Sequence, residues 1–179
     1  GTIDKIKKVA EIIRDYKKKN YKVIVVTSAM SGVTNDLIKK SEEISNNFSD
    51  TEYDVLVSSG EQVACSLIAG RLIHKGLKSR SWMAWQIPII TKGLHKNSRI
   101  NNIDKNKIIK YLKKGGIPII TGFQGINNED RVTTIGRGGS DASAIMIAKF
   151  FKAQRCIIYT DVEGVYTTDP NKLKKAKKI

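Results

Sequence analysis

Two cysteines and two histidines are all that this 179-residue sequence offers for soft metal ligation or thiol redox chemistry. Cys65 and Cys156 have no companion at metal or redox spacing, so both are expected as buried, reduced thiols. His74 and His95 lack a partner at ligand spacing, which leaves no candidate zinc centre. Any metal is expected to be Mg²⁺ on phosphate and carboxylate oxygens. Long apolar runs are missing as well: stretches such as Val23 to Val26 fall far short of the ~20 residues of a membrane span. No segment near Gly1 joins a basic start, an apolar core and a small-residue cleavage site, so the expectation is a cytoplasmic protein without membrane contact. Acidic residues are scarce, 17 against 32 Lys and Arg, for a formal net charge of +15. The basic residues gather at helix ends (Lys17, Lys18, Lys19; Lys113, Lys114) and in the last segment (Lys172, Lys174, Lys175), with no interleaved aromatics. Such charge speaks to solubility and weak nonspecific association, and no nucleic-acid partner is expected.

What is present is an ordinary globular composition, 40% hydrophobic, at a length that suits one domain. Ile3, Ile6, Val9, Ala10, Ile13 and Tyr16 recur at helical spacing. Val23 to Val26 is a continuous β-branched run, as expected of a strand buried on both faces. A second helix runs from Asn35 to about Ile44, and Asn46 to Asp54 reads as a polar loop. Ser58 to Gln62 interrupts or precedes a helix reaching Gly76. Strands follow at Ser79 to Trp85, Ile87 to Thr91, Ile117 to Thr121 and Cys156 to Thr160, with helices at Asp104 to Lys114 and Ala142 to Phe151. This alternation predicts an α/β fold, a three-layer α/β/α sandwich on a mostly parallel central sheet. The echo of Ile87-Pro88-Ile89-Ile90-Thr91 in Ile117-Pro118-Ile119-Ile120-Thr121 reads as two similar buried strands rather than a duplication.

Two loops carry the chemistry. Gly136-Arg137-Gly138-Gly139-Ser140-Asp141 precedes an apolar helix, and glycines with a guanidinium at a helix N-terminus describe an anion site. A turn does not require an arginine between its glycines; an anion does. Neither the P-loop nor the dinucleotide fingerprint fits the spacing. The second loop, Tyr159 to Pro170, follows a strand and belongs at its carboxyl end, where ligands bind in open α/β sheets. Thr27 to Thr34 forms another strand, small-polar loop and helix unit. Blander roles compete for single residues: Thr34 and Ser140 are placed to cap their helices, Glu61 to sit in a first helical turn, Tyr166 to decorate a hairpin.

Taken together, VVTSAMSGVTN (Val25 to Asn35), SSGEQVACSLIA (Ser58 to Ala69), WQIPIIT (Trp85 to Thr91), GFQGIN (Gly122 to Asn127), TTIGRGGSDASA (Thr133 to Ala144) and YTDVEGVYTTDP (Tyr159 to Pro170) resemble, in order, the motifs of the aspartate kinases within the amino acid kinase family. The resemblance implies transfer of the ATP γ-phosphoryl group, with Mg²⁺, to the side-chain carboxylate of L-aspartate. It implies that Arg137 clamps the substrate α-carboxylate and that Glu61 pairs with its ammonium. Thr34, Ser140 and Asp141 would surround the reacting carboxylate, with Asp141 an organiser rather than a base, because the nucleophile is already ionised. Thr160, Asp161 and Tyr166 would line the nucleotide site. A homo-oligomer, or an assembly with regulatory subunits, is implied as well.

Family members usually begin with a strand carrying KFGGTS and continue into a helix with a second lysine and then regulatory ACT domains, so the chain is expected to be part of the catalytic domain. Asn171 stands where the family commonly has arginine. A noncatalytic amino-acid- or nucleotide-binding module of the same fold, and a basic nucleic-acid-binding protein, are the alternatives.

Overall fold

A computed structural model describes residues 1–136 and 138–160. Helix α1 (Ile3–Lys18) starts where Thr2 Oγ1 accepts the Lys5 N–H at 3.3 Å, with Asp4 in its first turn and Lys17 and Lys18 in its last, as the helix dipole favours. Strand β1 (Val25–Thr27), helix α2 (Val33–Ile44) and helix α3 (Asp50–His74) follow. Next come β2 (Ser79–Trp82), a short 3₁₀ turn at Ala84–Gln86, β3 (Ile89–Lys92), β4 (Arg99–Ile103) and α4 (Asn106–Lys113). The described residues close with β5 (Ile117–Thr121), β6 (Gln124–Ile126), β7 (Val132–Thr134) and α5 (Gly139–Phe151).

Strands β1, β5 and β2 form a parallel sheet with β5 in the centre. Side chains alternate across it. Ile117, Ile119, Val23 and Val25 face α1 and α3, packing with Ile6, Ala10, Ile13, Cys65, Ile68 and Leu72. Ile120, Ile24, Val26 and Trp82 face the other way, toward Ile108 of α4, Ile147 of α5 and Ile89 of β3. Helices therefore cover both faces, as the alternation of strands and helices predicts. Pro118 is tolerated in this central strand because the ladder to β1 begins one residue later, at Ile119.

A second sheet, ordered β4-β3-β6-β7, was not foreseen; β3–β4 and β6–β7 pair antiparallel and β3–β6 parallel. Thr91 Oγ1 lies 2.6 Å from Thr133 Oγ1 and 3.1 Å from the Ile126 carbonyl inside it.

Several expectations are corrected. The loop expected at Asn46 to Asp54 is already helical from Asp50, helped by Asp50 and Glu52 at the positive end of α3. Helix α3 also runs unbroken through Ser58 to Gln62. The hydroxyls of Ser58 and Ser59 donate back to the Val55 and Leu56 carbonyls at 3.0 and 2.7 Å, so these serines satisfy themselves without breaking the helix. The strand expected to Trp85 stops at Trp82, where the chain turns and the Met83 N–H donates to Gln86 Oε1 at 3.0 Å. Cys156 to Thr160 joins no ladder among the described residues and is exposed. Cys156 is consequently an exposed thiol, whereas Cys65 is buried and its Sγ–H donates to the Ile119 carbonyl at 3.1 Å.

Candidate functional site

Parallel strands β1 and β5 end side by side on Thr27 and Thr121, which are register partners, and four segments converge outside that edge. They are the loop after β1, the Gly60-Glu61 turn of α3, Gly122-Phe123 after β5, and the start of α5. Two glycines make the convergence possible. A Cβ on Gly60 would lie 2.9 Å from Ala29 Cβ; one on Gly122 would lie 2.7 Å from the Thr27 carbonyl and 3.2 Å from Ser140 Cα. The Gly122 N–H donates to that Thr27 carbonyl at 2.9 Å. Phe123 then takes a left-handed conformation, φ +63°, and its N–H donates to Ser143 Oγ at 3.0 Å, while that hydroxyl donates to the Gly139 carbonyl at 2.7 Å. The end of β5 is thereby bolted to the first turns of α5.

Glu61 is the chemical centre of this edge. It is 3% exposed, and its Oε1 accepts the Ala29 N–H at 3.0 Å. Its Oε2 is buried with no hydrogen-bond partner among the described residues. Burial pushes the Glu61 acid up to about 7, against a smaller lowering by the Ala29 hydrogen bond. A buried carboxylate oxygen without a donor is costly, and what would answer it here is a cation.

Helix α5 begins after Gly138, which is left-handed at φ +73° and supplies no side-chain cap. No side chain among the described residues caps the N–H groups of its first turn, an arrangement that suits an anion. Ser140 and Asp141 sit in that first turn, half-buried and exposed respectively. Thr34 is the second residue of α2, half-buried, behind the left-handed Gly32 at φ +83°. Neither Thr34 nor Ser140 caps its helix, since left-handed glycines hold both N-cap positions, and Glu61 lies mid-helix rather than in a first turn. Among the described residues neither hydroxyl is engaged by another side chain. Thr160 is described and exposed, on the segment whose Tyr159 hydroxyl meets Tyr16 of α1. Arg137, Asp161, Tyr166 and Asn171 lie outside the described residues.

Comparison with known proteins places this geometry. The model of the amino acid kinase family matches residues 1–179, the whole chain. The chain belongs to the amino acid kinase family. Within that family it is 51% identical over 182 residues to an aspartokinase of Rickettsia conorii, and 45% identical over 179 residues to an aspartokinase of Geobacillus stearothermophilus. Both alignments cover 100% of this chain but only 45% and 44% of the relatives, so the chain spans less than half their length. Among solved structures it superposes on the aspartate kinase of Synechocystis with a TM-score of 0.78 at 36% identity, covering 99% of this chain and 29% of that one. It superposes equally, at 26% identity, TM-score 0.78 and coverages of 99% and 50%, on E. coli aspartokinase III in complex with aspartate and ADP.

Phe123, Gln124, Ser143 and Asp54, which have no role assigned from the sequence, also shape this amino acid kinase domain. Phe123 and Ser143 join β5 to α5 through backbone and hydroxyl bonds, and the only sequence signal was the Gly122-Phe123 pair at a strand end. Gln124, fully buried on β6, donates from Nε2 to the Ser58 carbonyl at 2.9 Å and so ties the second sheet to α3. Asp54, also fully buried, accepts from His95 and Lys96 on one turn and from Thr134 on a second stretch of chain. Asp54 fell within an expected loop, where nothing in the spacing signals burial.

Proposed function

We propose that the chain is part of the catalytic domain of an aspartate kinase, which phosphorylates the side-chain carboxylate of L-aspartate with ATP to give 4-phospho-L-aspartate. The observation that carries the reading is Glu61: a buried carboxylate with one oxygen unanswered, facing the same strand ends as the glycine-led N-terminus of α5. A free amino acid offers an ammonium for the first and carboxylates for the second. Glu61 takes the ammonium; Arg137, between the glycines that lead into α5, takes the α-carboxylate. That fixes the side-chain carboxylate beside Thr34, Ser140 and Asp141.

No general base is required, because the attacking carboxylate is ionised at neutral pH; positioning and charge neutralisation do the catalysis. Asp141 organises this centre. Thr160, Asp161 and Tyr166 are assigned to the nucleotide. Mg²⁺, a hard cation that prefers oxygen, fits an arrangement of nucleotide phosphates and a first-turn carboxylate such as Asp141, and when bound it neutralises phosphate charge. Support comes from the family membership, from relatives named as aspartokinases, and from a superposable structure that holds aspartate and ADP. The domain boundaries, a cytoplasmic location and assembly as a homo-oligomer or with regulatory subunits belong to the same proposal. Among the described residues no helix is long and apolar enough to cross a membrane.

The test is ATP-dependent formation of a hydroxylamine-trappable acyl phosphate from aspartate by the full-length protein. In it, Arg137→Ala is expected to raise the KM for aspartate about 10–150-fold, the loss of a charge-assisted contact worth ~1.5–3 kcal/mol, and to leave that for ATP nearly unchanged. Equal effects on both substrates would remove Arg137 from the α-carboxylate.

A further inference from the structure

A carboxylate that plays no part in the proposed chemistry is the most completely enclosed acid among the described residues. Asp54, in the second turn of α3, is 0% exposed. Its Oδ2 lies 2.7 Å from His95 Nδ1, and the Lys96 backbone N–H points between the two oxygens at 3.1 Å from each. The Thr134 hydroxyl donates to Oδ1. Burying a carboxylate is expensive, and this one is compensated by donors brought from two other elements: the turn between β3 and β4, and the last residue of β7.

Both elements lead to the anion cradle. The β3–β4 turn is pinned a second time where Lys96 Nζ meets Asp50 at 2.9 Å and lies 4.4 Å over the Tyr53 ring. Ser98 at its end donates its N–H to the Thr134 carbonyl at 3.0 Å and pairs with Ile135 in a parallel bridge. Asn97 stands against the next residue: a Cβ on Gly136 would lie 2.5 Å from Asn97 Oδ1. The Ile135 N–H in turn donates to the Phe123 carbonyl at 2.8 Å. Thr134, Ile135 and Gly136 are the last described residues before Gly138 and α5.

We propose that Asp54 is a positioning residue for the substrate-carboxylate cradle: its carboxylate locks the β3–β4 turn and the end of β7 together, and that pair sets where Gly136 delivers the loop into α5. This rests on the function proposed above for the cradle. Asp54 touches no substrate and acts through His95, Lys96, Asn97 and Thr134. A carboxylate serving stability alone would be replaceable without consequence for one substrate over the other.

The experiment compares Asp54→Asn, Thr134→Val and Thr134→Ser with the unmodified full-length protein, well below the unfolding temperature of each. Steady-state kinetics for aspartate and ATP are combined with hydrogen exchange of peptides covering residues 93–98, 117–121 and 132–142. Asp54→Asn and Thr134→Val are expected to lower kcat/KM for aspartate roughly 3–30-fold while KM for ATP stays put. They should speed exchange by about tenfold in 93–98 and 132–142, and not in 117–121. Thr134→Ser, which keeps the hydroxyl, should restore both readouts. Unchanged kinetics with a lowered unfolding temperature, or exchange raised evenly across all three peptides, would overturn the proposal and make Asp54 purely structural. Should the unmodified protein fail to phosphorylate aspartate, the functional reading falls, while the exchange pattern still decides whether Asp54 holds the loop.

Discussion

Glu61 meets two opposing demands. Folding places its carboxyl out of water, which favours the protonated form and pushes the acid up to about 7. Binding an ammonium requires the ionised form. Aspartate affinity should therefore strengthen as pH rises toward and through about 7, and fall by up to about tenfold per pH unit below it. Glu61→Gln should weaken aspartate binding and flatten that dependence, which the KM for aspartate measured from pH 5.5 to 8.5, roughly one to two units either side of the midpoint, would reveal. The same shift carries a stability signature of definite sign. Because the folded state holds the proton up to about 7 and the unfolded chain releases it near 4.5, stability is greatest below the lower value and declines as pH rises through the upper. The decline is at most about 3 kcal/mol, from the difference of the two values at ~1.4 kcal/mol per unit. Glu61→Gln should lose this slope in denaturant melts; an unaltered slope would place Glu61 in water.

Among the elements, α3 does the most to assemble the site, and only its far half is legible in the sequence. Its far half, Ala64 to Leu72, shows helical spacing and is helical. Its near half carries Asp54, Ser58, Gly60 and Glu61, which look like loop residues because helix-internal polar groups resemble turn formers in a bare sequence. Their burial depends on partners more than thirty residues away: Ala29 for Glu61, Thr134 for Asp54, Gln124 for Ser58. No local periodicity encodes those partners. By contrast, β5 is plain from its apolar run, β1 is legible though it lies at Val25–Thr27 with its valines only half-buried, and the glycine-led start of α5 is plain from composition. Of the second sheet only β3 is foreshadowed, by Ile87 to Thr91, because β4, β6 and β7 are short and carry polar residues. Glycine 122 shows how tightly the elements meet. Gly122→Ala would press a methyl to 2.7 Å from the Thr27 carbonyl and 3.2 Å from Ser140. Overpacking of that kind costs about 1–3 kcal/mol, and it should also lower turnover by displacing Ser140. Gly70→Ala is the control. Nothing lies within 4 Å of a Cβ there, and the exposed helical site should gain about 0.5–1 kcal/mol. Thermal unfolding of both variants beside their activity checks the pair; equal behaviour would mean that Gly122 is not a contact point.

On the scale of the whole molecule, binding and catalysis are expected to separate. The residues assigned to aspartate, Thr34, Glu61, Arg137, Ser140 and Asp141, all fall within the stretch that covers 45% of the Rickettsia conorii relative. The resemblance to aspartate kinases assigns the transferring phosphoryl group to lysines on a KFGGTS strand and on a later helix, and the KFGGTS motif does not occur in these 179 residues. Among the described residues the basic clusters lie at helix ends such as Lys17, Lys18 and Lys113 rather than at the carboxyl ends of β1 and β5. Electrostatic donors at a transferring group are often worth about 10²–10³ in kcat each, so a polypeptide of residues 1–179 alone should form no acyl phosphate from aspartate and ATP. It should still bind aspartate weakly through Glu61 and Arg137. Titration calorimetry with aspartate, run beside a hydroxamate assay, separates the two. Turnover within about tenfold of the full-length protein would show that this domain supplies its own phosphoryl cations, and would move the search for them to Lys and Arg residues within the chain.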